Sequence, residues 1–299
     1  MKNTVVDKHQ GWQNVLQIIL PYFIIVGVFQ IVGYYFAGLD INNVRFVGRT
    51  PTQVFIVSLA SFIGTFVAVW LFMKYVLKEP FLSVGFEKKC IKQDVIRGMY
   101  YGLIIMVIGF VSLIFSKEIE FKKLNFNLLY IVLSLLHYIF VAISEELLMR
   151  GFILNNLMKS FNNFSALLIS SMLFSLLHAG NPNITLFGLL QLFVAGILLG
   201  LPYLYTKNLW FSIALHFSWN FFQGTVFGYN VSGTANYSII ETDFRYASIW
   251  NGGNFGFEGS ILALILQIIA IAILYFSFEN KLKNKVDTQQ NTELQTIPK

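Results

Sequence analysis

Few residues of this chain have types suited to chemistry, and those few sit where charge is least welcome. Glu145 and Glu146 stand side by side inside a long apolar stretch, while the other thirteen of the 15 acidic residues fall in loops, tails or the ends of such stretches. A carboxylate at the centre of a bilayer costs at least ~2.5–3.5 kcal/mol on insertion scales, so an adjacent pair requires partners or a task. Arg150 is a partner for Glu146: the two stand one helical turn apart, in the favourable acid-before-base order. A buried ion pair that fixes helix packing would account for both of them. It would not account for Glu145, which points about 100° away from its neighbour around a helix.

Three of the four histidines, His137, His178 and His216, also fall within apolar stretches. His178 follows Phe174 by four residues and His216 precedes Asn220 by four, so each pair shares one helical face. His137, roughly 12 Å from Glu145 along a helix, reads instead as an interhelical hydrogen bonder. Carboxylate, two imidazoles, a carboxamide and a Glu–Arg pair form the inventory of hydrolysis by activated water. Glu145 would take the proton, an imidazole would orient the water, and His216 with Asn220 would donate to the oxyanion. The chain has no glycine-rich phosphate loop, no Gly-x-Ser-x-Gly and no His-Glu-x-x-His.

The elements that must position these residues are membrane helices. At 56% hydrophobic, 17% aromatic and 12% charged, the 299 residues lack the polar side chains to cover a water-soluble globule, which excludes a cytosolic enzyme. The fold class expected is an all-α polytopic membrane protein, a single membrane domain over 1–299. Its eight apolar spans run approximately over 15–38, 52–77, 95–116, 128–157, 164–179, 184–205, 209–228 and 260–278. The first span is too long for a signal peptide and has no cleavage pattern after it, so a retained helix is expected. Residues 128–228 carry the chemistry. Residues 229–259, rich in Gly, Asn and aromatics, suggest an ordered extracytoplasmic cap, and 280–299 a polar, disordered tail. If 128–157 and 164–179 pair antiparallel about a turn at 159–163, Glu145 and His178 face each other at similar depth. With Asn208 opening the seventh span, His216 and Asn220 lie roughly 12 and 18 Å into the membrane, and all four can reach one pocket.

Eight spans put both termini on one side. That side collects Lys2, Lys8, Lys74, Lys78, Lys88, Lys89, Lys92, Arg97, Arg150, Lys159, Lys207, Lys281, Lys283, Lys285 and Lys299. The other side keeps Arg45, Arg49, Lys117, Lys122, Lys123 and Arg245. The bias predicts cytoplasmic termini. The net charge of +6 reflects this sorting next to anionic lipid, not contacts to nucleic acid. Cys90, the one cysteine, allows no intrachain disulfide and no thiolate cluster, and as a nucleophile it lacks a nearby histidine in sequence. Gly188, Gly196 and Gly200 suit a close helix approach, within the chain or between copies, so the oligomeric state stays open.

In order and spacing, these residues resemble the signature motifs of the CAAX prenyl protease type 2 family, also called the Abi or CPBP family of intramembrane glutamic proteases. Glu145-Glu146-Leu147-Leu148-Met149-Arg150 matches its EExxxR, Phe174 to His178 its FxxxH, and His216 to Asn220 its HxxxN. The resemblance implies an intramembrane endopeptidase acting on a membrane-associated peptide or protein. In it Glu145 is the base, His178 orients the water, Glu146 and Arg150 form the supporting pair, and His216 and Asn220 make the oxyanion site. It also implies a metal-free mechanism without cofactor, although His178, His216 and a Glu could hold zinc and the residues alone leave that open. Eukaryotic members trim prenylated proteins. A Lys- and Asn-rich chain like this one reads as bacterial, and bacterial relatives are associated with bacteriocin self-immunity, peptide processing and cell-surface phenotypes. A multi-pass protein of the bacterial plasma membrane is therefore expected. Two other readings use the same residues: a non-catalytic immunity or regulatory protein, and a proton-coupled carrier, for which no internal repeat is seen.

Overall fold

The computed structural model describes residues 10–41, 48–88, 90–244 and 246–295. In chain order the helices are α1 (Gln10–Phe36), α2 (Pro51–Leu71), α3 (Ile91–Phe115), α4 (Leu128–Glu146), α5 (Asn155–Ser160), α6 (Asn163–Leu177), α7 (Leu186–Thr206), α8 (Trp210–Asn220) and α9 (Ile261–Gln295). A π-helical segment, Leu147–Leu154, joins α4 to α5 in one rod, and others extend α2 (Phe72–Leu77) and α8 (Phe221–Val226). Each predicted apolar span is helical, and the all-α polytopic membrane fold follows. Six rods are long and apolar enough to cross a membrane: α1, α2, α3, α4 through α5, α7 and α9. The other two are shorter. At 15 residues, α6 is about 22 Å long against a hydrocarbon layer of ~30 Å, so its C-terminal end stops at depth.

Side chains that satisfy the unpaired N–H groups of a first turn set where helices begin. Thr50 and Gln53 bond reciprocally at the start of α2, with Pro51 in the first position. Asn127, Asn162 and Thr185 cap α4, α6 and α7, each side chain accepting from the backbone N–H three residues on. Past Asn280, where a disordered tail was expected, α9 continues to Gln295, because no Gly or Pro interrupts it from Ile261 onward. Residues 296–299 lie outside the described residues, as do Lys2, Lys8, Arg45, Lys89 and Arg245 of the charge count. The described residues of 229–259 are ordered and joined to the connection before α4 by a two-stranded antiparallel sheet, β1 (Glu120–Leu124) with β2 (Ile240–Asp243).

Helix α8 is fixed by α3. Gly98 and Gly102 lie one turn apart on α3, and a Cβ at Gly102 would stand 2.6 Å from the Ser218 side chain, so only glycine lets the two backbones meet. Ser218 Oγ then donates to Met99 O across the contact at 2.8 Å. On the other flank, α7 meets α6 at Gly196, whose Cβ would stand 2.8 Å from Ser171. The glycine stripe of α7 is thus engaged within the chain at Gly196. Gly102→Leu should cost about 1–3 kcal/mol by overpacking. Gly27→Ala on α1, where nothing lies within 4 Å, should not destabilise. Thermal melts of both variants in detergent check the contrast.

Candidate active site

The polar residues of α4 divide at the turn where the helix widens. Glu146 is the last α-helical residue before the π segment, and such wide turns occur frequently at functional sites. Its side chain is fully buried, and Oε1 accepts from Arg150 Nη1 and from His216 Nδ1, each at 2.8 Å. Arg150, 1% exposed, also donates from Nη2 to Gly196 O at 3.0 Å, and its guanidinium carbon lies 4.7 Å from the Phe174 ring centroid. The two phenomena expected of this pair, an ion pair and helix packing, therefore occur together, and α4, α6, α7 and α8 converge on it.

Glu145 faces the other way. Its side chain keeps 34% exposure, and Oε2 points at His178 Nε2, 3.7 Å away, and at His216 Nε2, 3.8 Å away. These gaps are too long for direct hydrogen bonds, and Oε2 has no hydrogen-bond partner in the protein. A separation of this size between polar atoms is one that a water bridges. His178 is the C-cap of α6, and its Nδ1 lies 2.8 Å from Phe174 O. That carbonyl can only accept, so Nδ1 carries the proton and Nε2 presents its lone pair toward Glu145. His216 is oriented the same way by Glu146. Asn220, one turn further along α8, is buried against the same space.

That space is a cavity of about 540 Å³ lined by Glu145, His178, His216 and Asn220, with walls from α1 and α2 and a lid from the cap. All six residues singled out in the sequence gather here: four line the cavity, and Glu146 and Arg150 stand directly behind it. His137 departs from expectation. It is half-buried on the cavity wall, and its buried Nδ1 has no hydrogen-bond partner, so the interhelical bond expected of it is not made there. Glu258, Gln191 and Gln267 also line the cavity and were not singled out; Glu258 lies in a loop, where nothing in the sequence marks burial. Glu146 is not free to bind zinc, since its Oε1 is committed to Arg150 and His216, and the described residues hold no set of three His, Cys, Asp or Glu side chains in the arrangement of a metal site.

Part of the chain is similar to a known family. Residues 127–222, roughly a third of the chain, match the family model described as type II CAAX prenyl endopeptidase, Rce1-like. This is the family that the three motifs resemble, and the matched segment contains all six residues. At the level of the family it supports a CAAX-type intramembrane protease, and with the apolar helices a multi-pass membrane protein. No curated protein matches the chain.

The buried pair makes a stability prediction. Arg150→Met strands the Glu146 carboxylate and should destabilise the protein by about 3–5 kcal/mol, whereas Glu146→Gln combined with Arg150→Met should recover much of that loss. Unfolding midpoints in detergent for the two single variants and the double variant test it.

Proposed function

We propose that this protein hydrolyses a peptide bond of a membrane-associated peptide or protein, using a water activated by Glu145. The observation that carries this reading is the Glu145 carboxylate oxygen held 3.7 and 3.8 Å from two imidazole nitrogens inside a 540 Å³ cavity. A water between them donates one hydrogen to Glu145 and the other to the lone pair of His178 Nε2. That leaves an oxygen lone pair aimed at the cavity. As the water attacks the scissile carbonyl carbon, Glu145 takes its proton and the carbonyl oxygen becomes an oxyanion.

In this reading Asn220 Nδ2 and the Nε2–H of His216 donate to that oxyanion. For His216 this requires the imidazolium, because Nδ1–H is already given to Glu146; the positive ring then lies between two carboxylates. Collapse of the tetrahedral intermediate breaks the C–N bond, and Glu145 returns the proton to the leaving amine. Arg150 acts through Glu146, holding it in place, and is a positioning residue. We further read the termini as cytoplasmic, from the lysine and arginine bias, in a bacterial plasma membrane.

Cleavage of a quenched peptide library by purified protein in detergent tests the proposal. Glu145→Gln should lower kcat by about a thousandfold, the scale of a lost general base, with no fall in melting temperature. A chelator should leave cleavage unchanged. Biological activity that survives both Glu145→Gln and His216→Ala would overturn the proposal in favour of a non-catalytic immunity or regulatory role.

A further inference from the structure

A third carboxylate faces the cavity from the cap and belongs to none of the three motifs. Glu258 lies in the 3-10 turn Phe257–Gly259, is 6% exposed, and accepts at Oε1 from the backbone N–H of Ser232. Phe257 beside it is fully buried, near Trp219 and Tyr229 and against Gly109 of α3, where a Cβ would collide with its ring. The backbone that carries Glu258 is therefore anchored. Burial pushes its carboxyl above the usual carboxylate range, while hydrogen bonds from the Ser232 side chain and backbone act to lower it. Among the described residues no lysine or arginine stands within ion-pair distance of it.

The neighbouring walls add acceptors. Gln267 of α9 is fully buried on the cavity wall with neither end of its carboxamide paired. Gln191 of α7 gives its N–H to Ser260 O, which fixes the carboxamide and leaves Oε1 without a donor. One carboxylate and two carboxamide oxygens without a matching cation are costly at this burial unless a guest supplies charge and donors. A primary ammonium supplies both: one positive charge, three N–H donors and no acceptor. A guanidinium would have to share with Ser232 N–H the Glu258 oxygen that this donor already occupies.

The geometry points to a primary-ammonium subsite at the cap end of the cavity, in which Glu258, with Gln191 and Gln267, receives a lysine side chain or the free amino terminus of the substrate peptide. The proteolytic reading supplies the identity of the guest as a peptide. Binding of an ammonium group does not depend on it.

Two measurements separate these layers. The first is equilibrium binding of dansylcadaverine, a primary alkylammonium with an environment-sensitive fluorophore, and of its neutral N-acetyl form. Wild type should bind the amine about thirtyfold more tightly than the acetylated probe, the scale expected when one partner of a buried charge pair is lost. Glu258→Gln should abolish the difference while retaining an acceptor for Ser232 N–H, and Glu258→Asp should keep part of it. The second is the ratio of kcat/KM between paired quenched peptides, lysine against norleucine in one series and free against acetylated amino terminus in the other. A lysine preference that collapses in Glu258→Gln identifies the side chain as the guest; an amino-terminal preference that collapses identifies the terminus. Equal affinity for the two probes, or a difference that persists in Glu258→Gln, overturns the subsite. Charge-selective probe binding with no cleavage of any peptide would uphold the subsite and count against the proteolytic reading.

Discussion

The fold depends on a single carboxylate oxygen. Glu146 Oε1 sits fully buried and accepts from Arg150 on its own rod and from His216 on α8, while Arg150 reaches onward to a carbonyl of α7 and to an aromatic ring of α6. In hydrocarbon, apolar surface does not drive helices together, so packing and polar links between helices set their order. A buried charge cluster is a poor source of net stability but a strict source of geometry, because any arrangement that separates its members leaves an ion without compensation. Four helices are thus held in register by one node. The two imidazoles that face Glu145 inherit their positions from it: His216 is bonded to it directly, and His178 stands one turn from the Phe174 ring that covers Arg150.

A polar cavity at membrane depth is possible because irregular backbone there is covered by protein instead of lipid. Since α6 ends short, His178 caps it within the layer, and the turn to α7 would expose peptide groups if nothing lay above it. The cap descends onto that turn. Gly233, at φ +80, lies against the backbone of Pro182 where a side chain would not fit, and its N–H bonds to Phe255 O. Gln191 on α7 is tied to Ser260 at the start of α9. The lid and the short helix are therefore one device, since the space left unfilled by α6 is the space that the cap encloses as a cavity.

Much of this arrangement was legible in the sequence because membrane helices obey simple arithmetic. Apolar length marks the rods, and a rise of about 1.5 Å per residue predicts that Glu145 and His178 meet across an antiparallel pair. The meeting occurs, at 3.7 Å. Spacing also separates Glu146, in reach of Arg150, from Glu145. The GxxxG pair Gly98 and Gly102 was equally visible as spacing, yet what distinguishes it from the glycines of α7 is the identity of the helix opposite, and spacing carries no information on that. Glu258 was illegible for a different reason. Its burial is created by a loop folding over a distant helix turn, and a glutamate among Gly, Asn and aromatic residues carries no local mark of enclosure. Nor does sequence reveal the π-helical widening after Glu146, since Leu147 to Leu154 have ordinary helical composition.

The two adjacent glutamates show how one helix separates architecture from chemistry. They share a residue type, a depth and a bond, and differ by a rotation of about 100°. For Glu146 that rotation means full burial with Arg150 and His216 both bonded to one oxygen, so its charge is spent on holding neighbours in place. For Glu145 it means a partly open carboxylate whose nearest polar atoms stop just beyond hydrogen-bonding distance. A group whose partners are this close and yet not bonded has its remaining capacity directed into the cavity. The cost of keeping it there falls on the rigid pair behind it, because a carboxylate without a direct bond holds its position only if the backbone and the imidazoles around it cannot move to satisfy it. The buried node supplies that rigidity, which is why the residue that touches no guest and the residue suited to meet one must stand next to each other in the chain.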